Sequence, residues 1–423
     1  MMRAVHIHLN PTPSQQVKLQ GWLDSCRNVY NACLEQRISA YKQSKVWPTK
    51  PGKLITRYGQ CGQLPQVKEA LPEYVEVNAA VLQDVTGRVD KAFQAFFKRN
   101  KVTKTGGFPR FKSHHRFNSF THPQASWVRF AEDGTRKFYL PTFGWLKYHK
   151  QGPNARPLTE GTLKTVTVKR LADGWWASFS VDYGDLPLPL TGHLPSSGSQ
   201  VGLDVGLSNL VTLHTGEVLG TLDGLKKSER KLRVLQQSLS AKKRGSTRRR
   251  TCLAQLDKAN LRFQRGKDQK LHEISKRLVR ENDVIVVEDL NIKGLLQKSS
   301  DFGTAATKGL HRNIGLASWG RLAFQLDYKA EEAGRQLVKV DPRHTSQMCS
   351  GCGVLPTVKK DLSVRQHRCP DCGLVLDRDH NAALNILRRG LDQIQGSIAP
   401  ACTLAPEKEP SQYREVGPLR TDL

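Results

Sequence analysis

The stretch Val284-Ile285-Val286-Val287-Glu288 does most to decide the fold of the C-terminal half of this sequence. Four consecutive apolar β-branched residues that end in an acid are typical of a strand buried on both faces, as in a parallel sheet. Because a sheet of that kind is covered by helices, the stretch predicts an α/β domain. The acid stands at the carboxyl end of the strand, where open α/β sheets place their ligands.

Further elements of the same domain lie on both sides of this strand. Val201–Gly206 predicts a second apolar strand, with the acid Asp204 near its end, and Leu210–His214 predicts a third that returns through Thr215-Gly216. The other predicted elements are helical stretches at about 224–281, 318–334 and 381–389 and a strand at 336–340. Together they predict a domain over residues 200–390, preceded by a Pro-, Gly- and Ser-rich linker at 185–200.

Four cysteines near the end of this domain have the spacing of a metal site, Cys349-x2-Cys352-x16-Cys369-x2-Cys372. Each Cys-x-x-Cys turn directs two thiolates to one point, so two such turns complete a tetrahedral Zn²⁺ site. Four sulfur ligands leave no open position, and the zinc is therefore expected to be structural. Residues 345–375 form the predicted zinc-binding insertion. An odd total of nine cysteines, four of them in this pattern, favours a reducing cytoplasm over a secreted disulfide framework.

Three acids form a second candidate site. Asp204 stands near the end of one predicted strand, Glu288 stands at the end of another, and Asp379 opens a predicted helix. If folding brings them together, their mutual repulsion favours the binding of cations, and two Mg²⁺ ions about 3.5–4 Å apart would suit phosphodiester hydrolysis. Each acid taken alone also has an ordinary structural explanation: Asp204 could belong to a turn, Asp379 could cap its helix, and Glu288 could pair with a lysine.

The N-terminal half follows a different pattern. A strand at 3–9 leads to a helix whose start, Thr12-Pro13-Ser14-Gln15, carries a cap hydroxyl, a proline and a capping-box glutamine. A second amphipathic helix is predicted at about 76–99. Short strands separated by turn signals follow from about 125 to 184, for which a small β-barrel is the simplest packing.

The charge of the chain indicates a polyanionic partner. Its 423 residues include 66 lysines and arginines against 38 acids, a net charge of +28, and nucleic acid is the usual partner of such an excess. Phe108, Phe111 and Phe117 lie among the basic residues and are predicted either to stack on bases or to join the core. No apolar run of about 18 residues is present, so no membrane span is expected. The basic residues predicted to contact nucleic acid are Arg110, Lys112, Arg116, Lys242, Lys243, Arg244, Arg248, Arg249 and Arg250.

Longer runs around the acids and cysteines resemble the RuvC motifs of the transposon-encoded TnpB (OrfB) family. They are Gly202–Leu210, Val286–Gly294, Thr345–Gly353, Cys369–Gly373 and Asp377–Ala383, and Pro11–Gln16 and Pro109–Lys112 are similar to the family's opening segment. The resemblance covers roughly residues 3–390, and four motifs in the right order make it very specific. The sequence departs from the family at His344, where Tyr is more usual. No family pattern extends into 391–423, which is expected to be a disordered tail.

The resemblance implies an α/β and α+β multidomain protein that is an RNA-guided DNA endonuclease, related to the ancestors of type V CRISPR effectors. Residues 1–190 would combine a wedge β-barrel with an inserted helical recognition domain at about 12–100, and residues 200–390 would form an RNase H-like RuvC domain. Asp204, Glu288 and Asp379 are the implied Mg²⁺-binding catalytic acids, with Asp377 a rival for the third position.

The implied partners are a guide RNA from the element's own end and a double-stranded DNA target, in a prokaryotic cytosol. Either a monomer or a homodimer is compatible with the sequence. Two other functions share the same motifs. One is a transposase or a structure-specific resolvase, because all of these enzymes use carboxylate–metal chemistry. The other is a nuclease-inactive DNA-binding repressor, although decay of a nuclease usually removes one of the acids and all three are present.

Overall fold

The computed structural model describes residues 2–46, 55–103, 106–150, 156–184, 198–296, 304–356 and 364–398. The chain divides into two compact units. The N-terminal unit comprises the described residues of Met1–Leu194 together with Leu225–Gln269. The C-terminal unit comprises those of Pro195–Gly224 and those from Lys270 onward. Most of the predicted linker at 185–200 and residues 399–423 of the predicted tail at 391–423 lie outside the described residues, whereas residues 391–398, predicted to be disordered, are helical.

Three helices open the N-terminal unit: α1 (Pro13–Val46), α2 (Arg57–Ala70) and α3 (Ala79–Thr103). The capping box predicted before α1 is confirmed, because Gln15 N donates to Thr12 Oγ1 at 3.3 Å and Thr12 N donates to Gln15 Oε1 at 3.0 Å. Helix α2 was not predicted. It contains Pro65 and little apolar periodicity, so its sequence gives a weak helical signal.

Two antiparallel sheets also belong to this unit, in the orders β1-β7-β6-β2 and β3-β4-β5. Their strands are β1 (Met2–His8), β2 (Ser119–His122), β3 (Arg129–Phe130), β4 (Lys137–Leu140), β5 (Gly144–Lys147), β6 (Thr162–Leu171) and β7 (Gly174–Asp182). Alternation along the strands places one side in a shared core, in which Phe138 packs edge-on against Phe179 at 5.3 Å. Trp22 of α1 packs on Phe143 in the same core, at 4.7 Å.

The predicted closed β-barrel is wrong for the described residues. The two sheets meet through one isolated bridge, between Leu9 and Tyr148, and no ladder joins β2 to β3. The free edge of β2 is instead occupied by a helix side chain, since Arg88 of α3 donates to the Ser119 carbonyl at 2.8 Å and to Thr121 Oγ1 at 2.7 Å. A guanidinium that satisfies this edge leaves no place for a closing strand.

The C-terminal unit is built on the predicted buried strands, β8 (Gln200–Asp204), β9 (Thr212–Leu213), β10 (Val284–Glu288) and β11 (Gln336–Val340). Their order is β11-β10-β8-β9, with β10 parallel to both of its neighbours and β9 antiparallel to β8. A two-stranded ribbon, β12 (Gln366–Arg368) with β13 (Val375–Asp377), lies within the cysteine segment.

Helices complete this unit. They are the C-terminal end of α5 (Thr247–Glu281), then α6 (Ile292–Leu295), α7 (Thr304–Ala317), α8 (Trp319–Ala333) and α9 (Arg378–Ile398). Helix α9 runs nine residues past its predicted end at 389 and lies directly on the sheet. A Cβ atom added at Gly202 of β8 would come within 2.5 Å of the Ala383 carbonyl, so the glycine permits this close approach.

A helical hairpin precedes β10 in the sequence, consisting of α4 (Asp223–Ser240) and α5 (Thr247–Glu281). Its residues Leu225–Gln269 belong to the N-terminal unit, and the remainder of α5 belongs to the C-terminal unit. The predicted helical stretch at about 224–281 is confirmed, including its interruption near Gly245, which has a φ of 84°. No described helix combines the length and the apolar content that a membrane span requires.

Candidate metal sites and nucleic-acid surface

The structure brings the three candidate acids to one edge of the C-terminal sheet. Asp204 ends β8 and Glu288 ends β10, and these strands are parallel neighbours, so their carboxyl ends share an edge. Asp379 is the second residue of α9, which packs on β8. A Cβ added at Gly206 would lie 3.7 Å from the Asp379 Oδ2 atom, which places this carboxylate against the turn that follows Asp204.

The electrostatics of this edge disfavour three ionised acids. Burial raises the pKa of Asp204 well above its usual range, and the neighbouring charges of Glu288 and Asp379 raise it further. Burial also raises the pKa of Asp379, with Asp377 adding to the effect. For Glu288 the same rise in pKa is opposed by a hydrogen bond from Thr345 and by the charge of Arg389. The charges of Arg378 and Arg389 offset these rises only in part, so a bound cation would supply further positive charge at this edge.

The donor set of this edge fits a hard divalent cation, because it consists of carboxylate oxygens alone. The oxygen atoms of the three carboxylates do not all lie within 4.8 Å of one another. Among the described residues, the cysteines are the sole group of three or more ligand side chains whose ligand atoms all lie within 4.8 Å of one another.

Asp377 and Asp379 have different environments. Asp377 is exposed, and its Oδ1 accepts hydrogen bonds from the backbone N–H groups of Asp379 at 2.8 Å and of His380 at 3.2 Å. This is the geometry of a helix N-cap. Asp379 is half-buried and interacts electrostatically with Asp204.

Sequence reasoning gave no role to Thr345, which the structure places beside Glu288. The buried Thr345 hydroxyl donates to Glu288 Oε1 and also contacts the Pro342 carbonyl at 3.1 Å. Its neighbour His344, the departure from the family pattern, is exposed and has a φ of 63°. Thr345 belongs to the family-like run Thr345–Gly353, but its contact with Glu288, which lies 57 residues earlier in the chain, appears only in the folded structure.

The cysteine cluster fits a zinc site. The Cys349 and Cys372 sulfurs are 3.6 Å apart, as are those of Cys352 and Cys369. A tetrahedron with Zn–S bonds of about 2.3 Å has sulfurs about 3.8 Å apart, close to the observed separation. The two turns are alike. In each, the glycine that follows the second cysteine has a positive φ, 76° at Gly353 and 73° at Gly373, a conformation that glycine adopts without strain.

Two buried asparagines connect the cysteine cluster to α9. Asn381 accepts from Ser350 N at 2.9 Å and donates to the Met348 carbonyl at 2.8 Å. Asn385 donates to the Thr345 and Met348 carbonyls at 2.9 and 2.8 Å. Because α9 carries Asp379 and Thr345 contacts Glu288, the cysteine segment is linked to two of the three acids.

The first group of predicted nucleic-acid contacts lies in a segment of the N-terminal unit, residues 106–118, that has no regular secondary structure. Arg110 and Arg116 are exposed, whereas the backbone of Lys112 pairs with the Asn31 side chain at 2.8 and 3.0 Å. Of the three interleaved aromatics, Phe117 is buried, Phe108 stacks on Phe96 at 4.8 Å, and Phe111 is 52% exposed. The core interpretation thus holds for Phe117 and Phe108, and Phe111 alone is open to stacking.

The second group surrounds the turn between α4 and α5. Lys242 donates to Ser238 Oγ at 2.7 Å, and Arg249 donates to the Leu239 and Lys242 carbonyls, so these two side chains stabilise the turn. The other four, Lys243, Arg244, Arg248 and Arg250, are exposed. Contact of any of these residues with nucleic acid stays a prediction.

These features define a two-unit α/β protein with a four-cysteine cluster that fits zinc and an acidic sheet edge. Three family models match it: "Helix-turn-helix domain" of the OrfB_IS605 group over residues 1–45, "Probable transposase" over 188–299 and "Cas12f1-like, TNB domain" over 319–386. A Streptomyces pristinaespiralis protein named "Putative RNA-guided DNA endonuclease" is 31% identical, covering 97% of this chain and 94% of its own length. The chain therefore belongs to the TnpB (OrfB) family.

Other relatives agree with this assignment. The Escherichia coli (strain K12) protein named "Putative RNA-guided DNA endonuclease InsQ" is 28% identical, with 92% of each chain covered. Among solved structures, CasPhi-2 (Cas12j) bound to crRNA covers 92% of this chain and 98% of its own, at 12% identity and a TM-score of 0.39. A likeness that weak adds nothing to the assignment.

Proposed function

We propose that this protein is an RNA-guided DNA endonuclease encoded by a transposable element, which cleaves target DNA beside a short flanking motif. The observation that carries the proposal is the meeting of Asp204, Glu288 and Asp379 at one sheet edge in a chain of the TnpB (OrfB) family. The parallel arrangement of β8, β10 and β11, with α9 on the sheet, supports an RNase H-like RuvC domain over 200–390.

Asp204, Glu288 and Asp379 would hold two Mg²⁺ ions, which supply a nucleophile from water and stabilise the leaving oxygen of the phosphodiester. Burial raises the pKa of all three acids, and a bound cation would favour their ionised forms. Thr345 orients Glu288 through its hydrogen bond, and Asp377 fixes the start of α9.

The charge distribution supports the proposed partners. A net charge of +28 suits a protein that holds both a guide RNA, derived from the element's own end, and a double-stranded DNA target. Base pairing between guide and target strand would carry sequence specificity, and the protein would read the short flanking motif. The N-terminal unit, with its helices α1–α3 and two sheets, is the proposed wedge and recognition half.

The test is expression with the native flanking DNA, followed by sequencing of the bound RNA and assay of cleavage on a guide-matched plasmid. The proposal expects a discrete RNA in the purified protein and Mg²⁺-dependent cutting that follows the guide. Equal cutting by RNA-free protein would contradict the guided model. Strand-joined products would indicate a transposase, and target binding without any cleavage would indicate a repressor.

A further inference from the structure

The outer face of the β3-β4-β5 sheet carries a row of side chains that the proposed catalytic site does not use. Across the three strands, Arg129 pairs in register with Tyr139, and Tyr139 pairs with Trp145. The Arg129 guanidinium lies 5.6 Å from the centre of the Tyr139 ring, and the Tyr139 and Trp145 rings are 5.6 Å apart at 67°. Trp145 is 47% exposed, an unusual position for so large an apolar side chain.

Packing within the sheet does not require these aromatics. The alternate residues of the same strands, Phe138, Leu140 and Leu146, point inward and are fully buried. The row is also held in place, because the Gln15 side-chain amide donates to the Phe143 and Trp145 carbonyls at 3.0 and 3.1 Å. The outer face is thus a fixed platform rather than a poorly packed part of the core.

Cations flank the row of aromatics. Lys137 and Lys147 are register partners one pleat along the same face, so the face presents three positive side chains with Arg129. Within the described residues, Arg129 and Lys147 form no ion pair. The nearest acids stand at the turn between β3 and β4, where the Asp133 carboxylate accepts from Thr135 and lies near Lys137.

A groove of about 1220 Å³ runs beside this face. Its lining includes Arg129, Lys137, Trp145 and Lys147, the acids Glu132 and Asp133 of the β3–β4 turn, and parts of the segment Leu158–Leu163. Its volume is larger than that of a typical small-molecule site of about 300–1,000 Å³. Aromatic rings beside free cations are the combination that binds unpaired nucleotides, with bases on the rings and phosphates on the cations.

We propose that the outer face of β3-β4-β5 binds an unpaired segment of the guide RNA. Trp145 and Tyr139 stack on bases, and Arg129, Lys137 and Lys147 contact the adjoining phosphates. This inference rests on the proposed function for the presence of a guide. Stacking requires unpaired bases, which folded RNA offers in its loops and ends and which duplex DNA lacks until it is opened.

Photochemical crosslinking tests the location. The full chain, freed of bound RNA, is irradiated with a fluorescent oligouridylate of about ten nucleotides that contains 4-thiouridine, and crosslinked peptides are identified by mass spectrometry. We expect crosslinks within 129–147. Trp145→Ala should remove them and weaken binding about 5- to 100-fold, whereas Trp145→Phe, which keeps a ring, should retain most of the affinity. Lys147→Gln should weaken binding and lower its salt dependence.

The matched control is Lys164→Gln, an exposed lysine of β6 in the same unit that lies 3.8 Å from Asp182 and off this face. It should leave crosslinking and affinity unchanged. The inference would be overturned if the crosslinks fell outside 129–147, or if Trp145→Ala left them unchanged. This holds even when the co-expressed protein retains its native RNA. A second probe is an oligodeoxynucleotide of the same length that contains 4-thiothymidine. Equal crosslinking of this face by that DNA probe would overturn the choice of RNA. A protein that retains no RNA after co-expression would count against the proposed function instead.

Discussion

The cysteine cluster and the acidic edge of the C-terminal unit differ in what determines their geometry. All four sulfurs come from one short segment, and two similar turns already bring them to 3.6 Å separations. The three acids come from two strands and a helix and do not form so close a group. The positions of the four sulfurs are therefore set by turns within one segment, whereas the positions of the three acids depend on how distant elements pack.

The two regions are nevertheless joined by hydrogen bonds. Asn381 and Asn385 connect the cysteine segment to α9, and Thr345 connects it to Glu288. Substitution of a cysteine in the cluster should therefore also disturb the acids, whereas substitution of an acid should leave the geometry of the cysteine cluster unchanged.

Asp204→Asn should have the largest effect on activity. It removes the most strongly perturbed carboxylate of the edge, and cleavage of a guide-matched plasmid should fall by at least about a thousand-fold, on the order of the loss of one essential electrostatic group. Bound RNA and zinc content should stay at wild-type levels, since Asp204 belongs neither to the proposed RNA surface nor to the cysteine cluster. Loss of zinc in this variant would break the asymmetry.

In the absence of metal, the Asp204→Asn protein should be more stable than the wild type. The folded-state pKa of Asp204 lies above its usual value of about 3.8, so the folded protein binds more protons than the unfolded chain between the two values. Stability of the metal-free wild type should therefore decrease as pH rises through that interval. Asp204→Asn should flatten this decrease and raise the melting temperature at neutral pH, by about 2–4 °C per kcal/mol of relieved repulsion. Calorimetry in EDTA measures both effects, and added Mg²⁺ should stabilise the wild type alone.

Cys352→Ser should come next. A structural zinc site loses much of its affinity with one ligand, so zinc content by atomic absorption should fall well below one ion per chain. Cleavage should fall about 10- to 100-fold, because the linked Thr345 and α9 lose their support. Cys252→Ser is the control, since Cys252 is buried on α5 and lies outside the cluster. Full cleavage by a zinc-free protein would show that the cysteine cluster is dispensable.

The two regions were not equally predictable from the sequence. The spacing of Cys349–Cys372 alone gave the local turns that the structure confirms, because turn chemistry is encoded within a few residues. The apolar run at Val284–Glu288 likewise gave a buried parallel strand. The Thr345 contact with Glu288 and the asparagine links could not be found in this way, since they depend on how distant elements pack.

The N-terminal unit shows the same limit. A series of short strands predicted a closed barrel, and only the packed structure shows Arg88 of α3 at the edge where a closing strand would lie. The aromatic residues near 108–117 carried no periodicity that could separate Phe117 in the core from Phe111 at the surface.

Thr345→Val should have a smaller effect than loss of zinc while leaving the cysteine cluster intact. It removes the hydrogen bond that favours the ionised form of Glu288, so the pKa of Glu288 should rise further. We expect cleavage to fall about tenfold, with the acidic limb of the pH–rate profile moved to higher pH. Thr345→Ser, which keeps the hydroxyl, should restore both. A lower rate with an unchanged pH profile would indicate that Thr345 only packs.

Asp377→Ala should have the smallest effect and would settle which residue of the Asp-Arg-Asp run acts on metal. Loss of the N-cap should lower the free energy of unfolding by about 0.5–2 kcal/mol with little change in cleavage, because the neighbouring charge that raises the pKa of Asp379 is also removed. Asp377→Asn caps a helix about as well as Asp and should restore the lost stability. Asp379→Asn should instead match Asp204→Asn in cleavage. If Asp377→Asn abolished cleavage while Asp379→Asn kept it, the exposed cap would be the metal ligand, and the acidic edge would have to rearrange around its cation far more than the cysteine cluster does.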